Sequence, residues 1–204
     1  MAAVWDLSLE ERRDEKRVAA EAARKGADAQ AQEALSVLYD PRFRDGMMEI
    51  AMDAIVEARK GHAQVATLGF SLGGGISLAT AIRPGRPDAA IAYCGEPPKI
   101  RLGESAAPML AICASHDELM NPLVPRFVEA ALEQDLDLTV KTFPGTEHDF
   151  FNRNIKERYN AAAAREAWKV TAWFLSKALG GPPVPQRDNS RRREASHGPG
   201  WQSG

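Results

Sequence analysis

From residue 65 onward, short apolar runs alternate with longer stretches of mixed character. Residues 65–70, 89–94 and 109–114 are almost wholly apolar, and 138–143 is a fourth run ended by Pro144-Gly145. Runs of this length predict strands, and the continuous apolarity of the first three predicts burial. Between them the spacing turns helical. Residues 72–82 are small and apolar and predict a helix stopped by Pro84-Gly85. Asn121-Pro122 supplies a cap and first-turn pair for a helix to about residue 133. Residues 161–179 predict a long helix with Ala164, Trp168, Thr171, Leu175 and Leu179 on one face. Upstream, Met48, Met52, Ile55 and Val56 recur at helical spacing and predict an amphipathic helix over 47–60, with Asp40-Pro41 as a break before it. Ser8 and Glu11 read as a capping box heading a charged helix over 9–24, followed after Gly26 by a second helix over 29–38.

Strands alternating with helices predict an α/β fold, a mostly parallel sheet with helices on both faces. The pattern lapses after Gly180-Gly181-Pro182-Pro183. The expected organisation is therefore one domain over 1–181 and a disordered polar tail over 182–204. Its run Arg191-Arg192-Arg193 is better read as a solvated tail than as a site for an acidic partner.

Composition narrows the field. A length of 204 residues fits one domain with a core of its own. The net charge of -2 gives no reason to expect nucleic acid or an anionic membrane as a partner. No apolar run approaches the roughly 20 residues of a membrane span, and residues 1–5 lack the marks of a signal peptide. A cytoplasmic location is the expectation. Cys94 and Cys113 lie inside apolar runs and are expected as buried, reduced thiols. No His/Cys spacing matches a zinc site and no carboxylates form a calcium loop, so no metal is expected. Gly73-Gly74-Gly75 is followed by no Lys-Ser/Thr, which argues against a phosphate loop, and no cofactor is expected.

The candidate chemistry begins with Gly69-Phe70-Ser71-Leu72-Gly73, a G-x-S-x-G pattern between an expected strand and an expected helix. Such a turn needs small residues where backbones crowd, here Gly69 and Gly73, and it lifts the serine above the strand end. The N–H of Leu72, at the helix start, is the candidate oxyanion donor. Asp117 follows the third strand and His148 the fourth, in the order nucleophile, acid, histidine. In that reading His148 relays the Ser71 proton and Asp117 steadies the imidazolium. Glu118 and Asp149 are rival acids, and His116 is a rival base. Asp149 is poorly placed to grip the ring of its own neighbour. His116 stands where the acid is expected, while His62 and His197 are incidental.

Gly69-Phe70-Ser71-Leu72-Gly73-Gly74-Gly75 resembles the nucleophile elbow of the dienelactone hydrolase family. His148-Asp149-Phe150-Phe151-Asn152, Arg158-Tyr159-Asn160-Ala161 and Ala167-Trp168 resemble its last loop and C-terminal helix, and Tyr93-Cys94-Gly95 and Ser115-His116-Asp117 fall where it has similar runs. The resemblance covers about 47–179 and implies an α/β-hydrolase fold that hydrolyses small esters or lactones without a cofactor. Two departures stand out. Well-known dienelactone hydrolases carry cysteine where Ser71 stands, which puts dienelactone itself in doubt as substrate. Relative to the family, the N-terminal strands and the second oxyanion donor are lacking, and residues 4–7 look like the end of the strand that follows them. A true start upstream, a degenerate fragment, or a second copy completing the sheet would each explain this. The alternative function is a catalytically impaired remnant, stable only as a homo-oligomer or with a partner.

Overall fold

The computed structural model describes residues 40–101, 103 and 105–181. The expectations for residues 4–7, 9–24 and 29–38, for His197 and for the 182–204 tail lie outside the described residues. In chain order the elements are α1 (Pro41–Arg59), β1 (Ala66–Phe70), α2 (Leu72–Thr80), β2 (Ala89–Tyr93), β3 (Met109–Ala114), α3 (Val124–Glu133), β4 (Leu138–Phe143) and α4 (Ala161–Ala178). All four strands are parallel and lie side by side in chain order.

Alternation along β2 sends side chains to opposite faces of the sheet. Ala89, Ile91 and Tyr93 join Leu110, Ile112, Ala114 and Phe143 beneath Ala167 and Phe174 of α4. Ala90 and Ala92 meet Met109 on the other face, under Leu78 of α2 and Phe127 of α3. Helices therefore cover both faces, as the apolar runs of β2 and β3 require. Each residue of those two strands is buried, and one fully buried Ile or Leu side chain contributes about 1.5–3 kcal/mol.

Several local expectations are corrected. Asp40-Pro41 starts α1 rather than breaking the chain before it. The Asp40 carboxylate accepts from Arg42 N–H at 2.8 Å, and Pro41 takes a first-turn position that needs no N–H partner. The buried face of α1 is set by Ala51 and Ile55, whereas Val56 is 56% exposed, because one residue onward turns the side chain about 100° away. On α4 the sheet-facing row is Ala167, Thr171 and Phe174, while Trp168 is 55% exposed; the small Ala167 is what lets the helix approach. Asn121 does not cap α3. Its amide donates to Ser115 C=O at 3.0 Å, α3 starts after Leu123, and Pro125 rather than Pro122 sits in the first turn. The first strand is buried only in part. Its sole strand neighbour among the described residues is β2, and four of its five residues are half-buried.

Candidate active site

Parallel strands end on the same side of a sheet, and the register brings these four ends into line. Phe70 lies opposite Tyr93, Tyr93 opposite Ile112, and Ala114 opposite Phe143. The loops that follow therefore share one edge, where ligands of open α/β sheets bind.

Ser71 follows β1 directly. Its N–H still donates to Tyr93 C=O at 2.8 Å, one rung beyond the strand. The backbone then turns through φ 49, ψ -118 and enters α2 at Leu72. A non-glycine residue in this region is strained, of order 1–3 kcal/mol, and persists only where its surroundings enforce it. Gly69 is one such constraint, since a Cβ there would lie 1.9 Å from Gly73 C=O. Gly73 was expected to be small for the same reason, yet a Cβ on it would meet nothing within 4 Å; its carbonyl, not its missing side chain, makes the crowding. The close crossing is instead at Gly95, where a Cβ would lie 2.4 Å from the Gly74 carbonyl carbon. The Leu72 N–H opens α2, and first-turn N–H groups have no partner within their own helix. Ser71 as cap contributes no side-chain bond to them.

Asp117 lies on the loop after β3 and is 2% exposed. One carboxylate oxygen accepts from the backbone N–H groups of Leu119 (3.3 Å) and Met120 (3.1 Å). The other accepts from His148 Nδ1 at 2.7 Å. His148 reaches it from the loop after β4, which is pinned on each side. Thr146 is buried, donates through Oγ1 to Phe143 C=O and accepts from His116 N–H at 2.9 Å. Phe150 is fully buried 5.4 Å from Phe143, and Phe151 stacks against Phe70 at 4.8 Å, tying the histidine loop to the residue before Ser71. The outcome is a Ser71 Oγ to His148 Nε2 separation of 3.0 Å.

Ionised Asp117 can only accept, so Nδ1 carries the proton and Nε2 of the neutral ring faces Ser71 as acceptor. Burial pushes Asp117 upward, but the hydrogen bond and charge of His148, with the two backbone donors, outweigh it and hold the carboxyl below its ordinary value. For His148, burial favours the neutral ring, but the Asp117 hydrogen bond and the charges of Asp149 and Asp117 prevail over it and over Arg158, and raise the imidazole. The arrangement can move a proton from a serine hydroxyl onto an imidazole whose charged form is already supported.

None of the rivals takes a place in the row of hydrogen bonds from Ser71 to Asp117. His116 and Glu118 are exposed, and His62 sits on the turn before β1, at the opposite end of the strands. Asp149 does not grip Nδ1, but its carboxylate stands 4.0 Å from Nε2, on the Ser71 side of the ring, which adjacency in sequence hides. Cys94 and Cys113 are buried free thiols. Cys94 follows β2 as Ser71 follows β1, and its sulfur lies within 4.8 Å of ligand atoms of Asp117 and His148. The register could have shown this, because Cys94 is the next residue after Tyr93, which lies opposite Phe70. These three could hold a cation only by disturbing the Asp117–His148 bond. Burial above all, then the Asp117 charge, pushes the Cys94 thiol far up and keeps it protonated. An apolar cleft lined by Ala54, Ile55, Ala58, Leu68, Ile76 and Thr80 runs between α1, β1 and α2, behind the elbow rather than over Ser71.

A parallel sheet with a strained serine between the first strand and its helix, and an acid and a histidine after the third and fourth strands, defines an α/β-hydrolase fold. The dienelactone hydrolase family model matches residues 13–179, and the chain belongs to that family. It is 27% identical over 145 residues to a candidate carboxymethylenebutenolidase of Saccharolobus solfataricus, covering 70% of this chain and 56% of that protein. It is 28% identical over 140 residues to Protein usf of Aquifex pyrophilus, covering 66% and 61%. The chain thus spans roughly three fifths of the length of these relatives. Among solved structures, a candidate dienelactone hydrolase from Klebsiella pneumoniae superposes with TM-score 0.55 at 20% identity, over 65% of this chain and 61% of that one. The butyrate-bound esterase Est2 of Thermogutta terrifontis superposes with TM-score 0.56 at 17% identity, over 68% and 67%. These two likenesses describe a shared fold. No helix among the described residues is long and apolar enough to cross a membrane.

Proposed function

We propose that this chain is a serine hydrolase of small esters or lactones, with Ser71 as nucleophile, His148 as proton relay and Asp117 as the acid that orients it. The observation that carries the reading is the unbroken row of hydrogen bonds from strained Ser71 through His148 to buried Asp117, at 3.0 and 2.7 Å. Ser71 Oγ adds to the ester carbonyl carbon while its proton passes to Nε2, and the oxyanion is met by the Leu72 N–H. The tetrahedral centre collapses, the C–O bond to the alcohol breaks, and Nε2 returns the proton to that oxygen. Water, deprotonated by His148, then cleaves the acyl-serine ester and regenerates Ser71. The hydrolase domain is proposed to occupy residues 1–181, with small-molecule substrates and no cofactor.

The test is turnover of 4-nitrophenyl butyrate by the purified chain. Saturable release of nitrophenolate, reduced about 10³-fold or more in Ser71→Ala and His148→Ala, supports the reading. Equal rates in the variants overturn it. A second reading is favoured by the outer edge of β1, which has no strand beside it among the described residues. In it the chain is an impaired hydrolase that needs another copy or a partner, and an oxyanion hole short of one donor would lower the rate about 10²–10³-fold. A folded monomer that turns over the ester excludes this second reading.

A further inference from the structure

Asp149 takes no part in the hydrogen-bonded row, yet two independent features mark it. Its backbone is left-handed at φ 66, a conformation uncommon outside glycine and tolerated best by Asp and Asn. Its carboxylate Oδ1 lies 4.0 Å from His148 Nε2, with the side chain 24% exposed. Nε2 is the atom that hands the proton to the departing alcohol, so the leaving-group oxygen must come within hydrogen-bond reach of it. A carboxylate beside Nε2 is therefore a fixed negative charge next to the leaving group.

We propose that Asp149 is a specificity-determining residue that makes the leaving-group side of the site select neutral or cationic alcohols over carboxylate-bearing ones. The inference rests on the hydrolase reading above and deepens it. The other charged groups acting on His148 do not cancel this one. Asp117 is also anionic and faces Nδ1, and Arg158 lies 3.6 Å from the Glu147 carboxylate, which partly offsets its positive charge. A leaving-group carboxylate several ångströms from Asp149, in partial contact with water, loses about five- to tenfold in kcat/KM at low ionic strength.

The experiment compares 4-(methoxycarbonyl)phenyl butyrate with 4-carboxyphenyl butyrate in the wild-type chain, in Asp149→Asn and in Asp149→Gly. Both substitutions remove the charge and suit a left-handed backbone, so one serves as the folding control for the other. The quantity read is the neutral-to-anionic ratio of kcat/KM in wild type divided by that ratio in the variant, which cancels the intrinsic reactivity of the two esters. A quotient of about five to ten, collapsing toward one in 1 M salt where the Debye length is about 3 Å, is expected. A quotient near one at low salt in both variants overturns the proposal. So does a wild-type preference for the anionic ester beyond its intrinsic reactivity, which would make Arg158 the dominant charge. Failure to hydrolyse even the neutral ester overturns the hydrolase reading itself, and this inference with it.

Discussion

The two ring nitrogens of His148 sit in different surroundings, and the pH dependence of the reaction follows from that. Burial favours the neutral ring, but Asp117 at Nδ1 and Asp149 beside Nε2 outweigh it and the weaker Arg158 and raise the imidazole above its ordinary value of 6.5. In the proposed mechanism the neutral ring is the active form, so kcat/KM should rise with pH and reach half its maximum above 6.5, measured on 4-nitrophenyl butyrate. Asp149→Asn removes one of the charges that raise the imidazole, so the half-rise should move to lower pH. A half-rise that stays in place would mean the carboxylate does not act on the ring. Asp117→Asn keeps the shape of the acid but removes its charge and its claim on the Nδ1 proton, and should lower kcat by about 10³–10⁴-fold without loss of fold.

At the scale of elements, the elbow holds because α2 runs tight against the loop that follows β2. Gly95→Ala places a methyl group against the backbone of Gly74 and Gly75 and should destabilise by about 1–3 kcal/mol, lowering Tm by several degrees. Gly73→Ala has open space and should leave Tm unchanged or raise it, since alanine is the better helix former. Comparable losses in the two variants, read by thermal unfolding, would place the crowding elsewhere. Strand positions were legible from the apolar runs because burial on both faces leaves no other residue type possible in β2 and β3. The bounds of β3 and β4 agree with expectation, and β1 and β2 are each one residue shorter. Helix faces were less legible. A tryptophan at helical spacing reads as core, but Ala167 beside it is what packs, because a sheet as close as this one excludes a large ring. Asp40-Pro41 and Asn121-Pro122 each place a side-chain oxygen before a proline, but only Asp40 caps a helix; the Asn121 amide, a donor that an aspartate lacks, binds Ser115 C=O within its own loop instead.

Across the whole molecule, the parallel register does most of the work of assembling the candidate site. Once four strands run the same way in chain order, Ser71, Asp117 and His148 fall on one edge without further instruction, which is why order along the sequence was informative. Distances between side chains were not readable in that way. They depend on Phe150 and Phe151 anchoring the last loop, and the place of Asp149 beside the ring follows from that anchoring. The same register makes β2 and β3 the interior of the sheet and leaves β1 and β4 at its sides. Amide hydrogen exchange should be slowest in residues 90–93 and 110–113 and faster along β1, whose outer edge has no strand partner among the described residues. Uniform protection of β1 at the level of β2 would show that something covers that edge in solution, as the second functional reading requires.

The most direct test of the central claim is covalent capture of the nucleophile. The purified chain is treated with a fluorophosphonate and its intact mass recorded, with Ser71→Ala alongside. The account predicts one adduct per chain in the wild type and none in the variant, with labelling that weakens as His148 is protonated. A folded wild-type chain that takes up no adduct, or a variant that labels equally well, would contradict it.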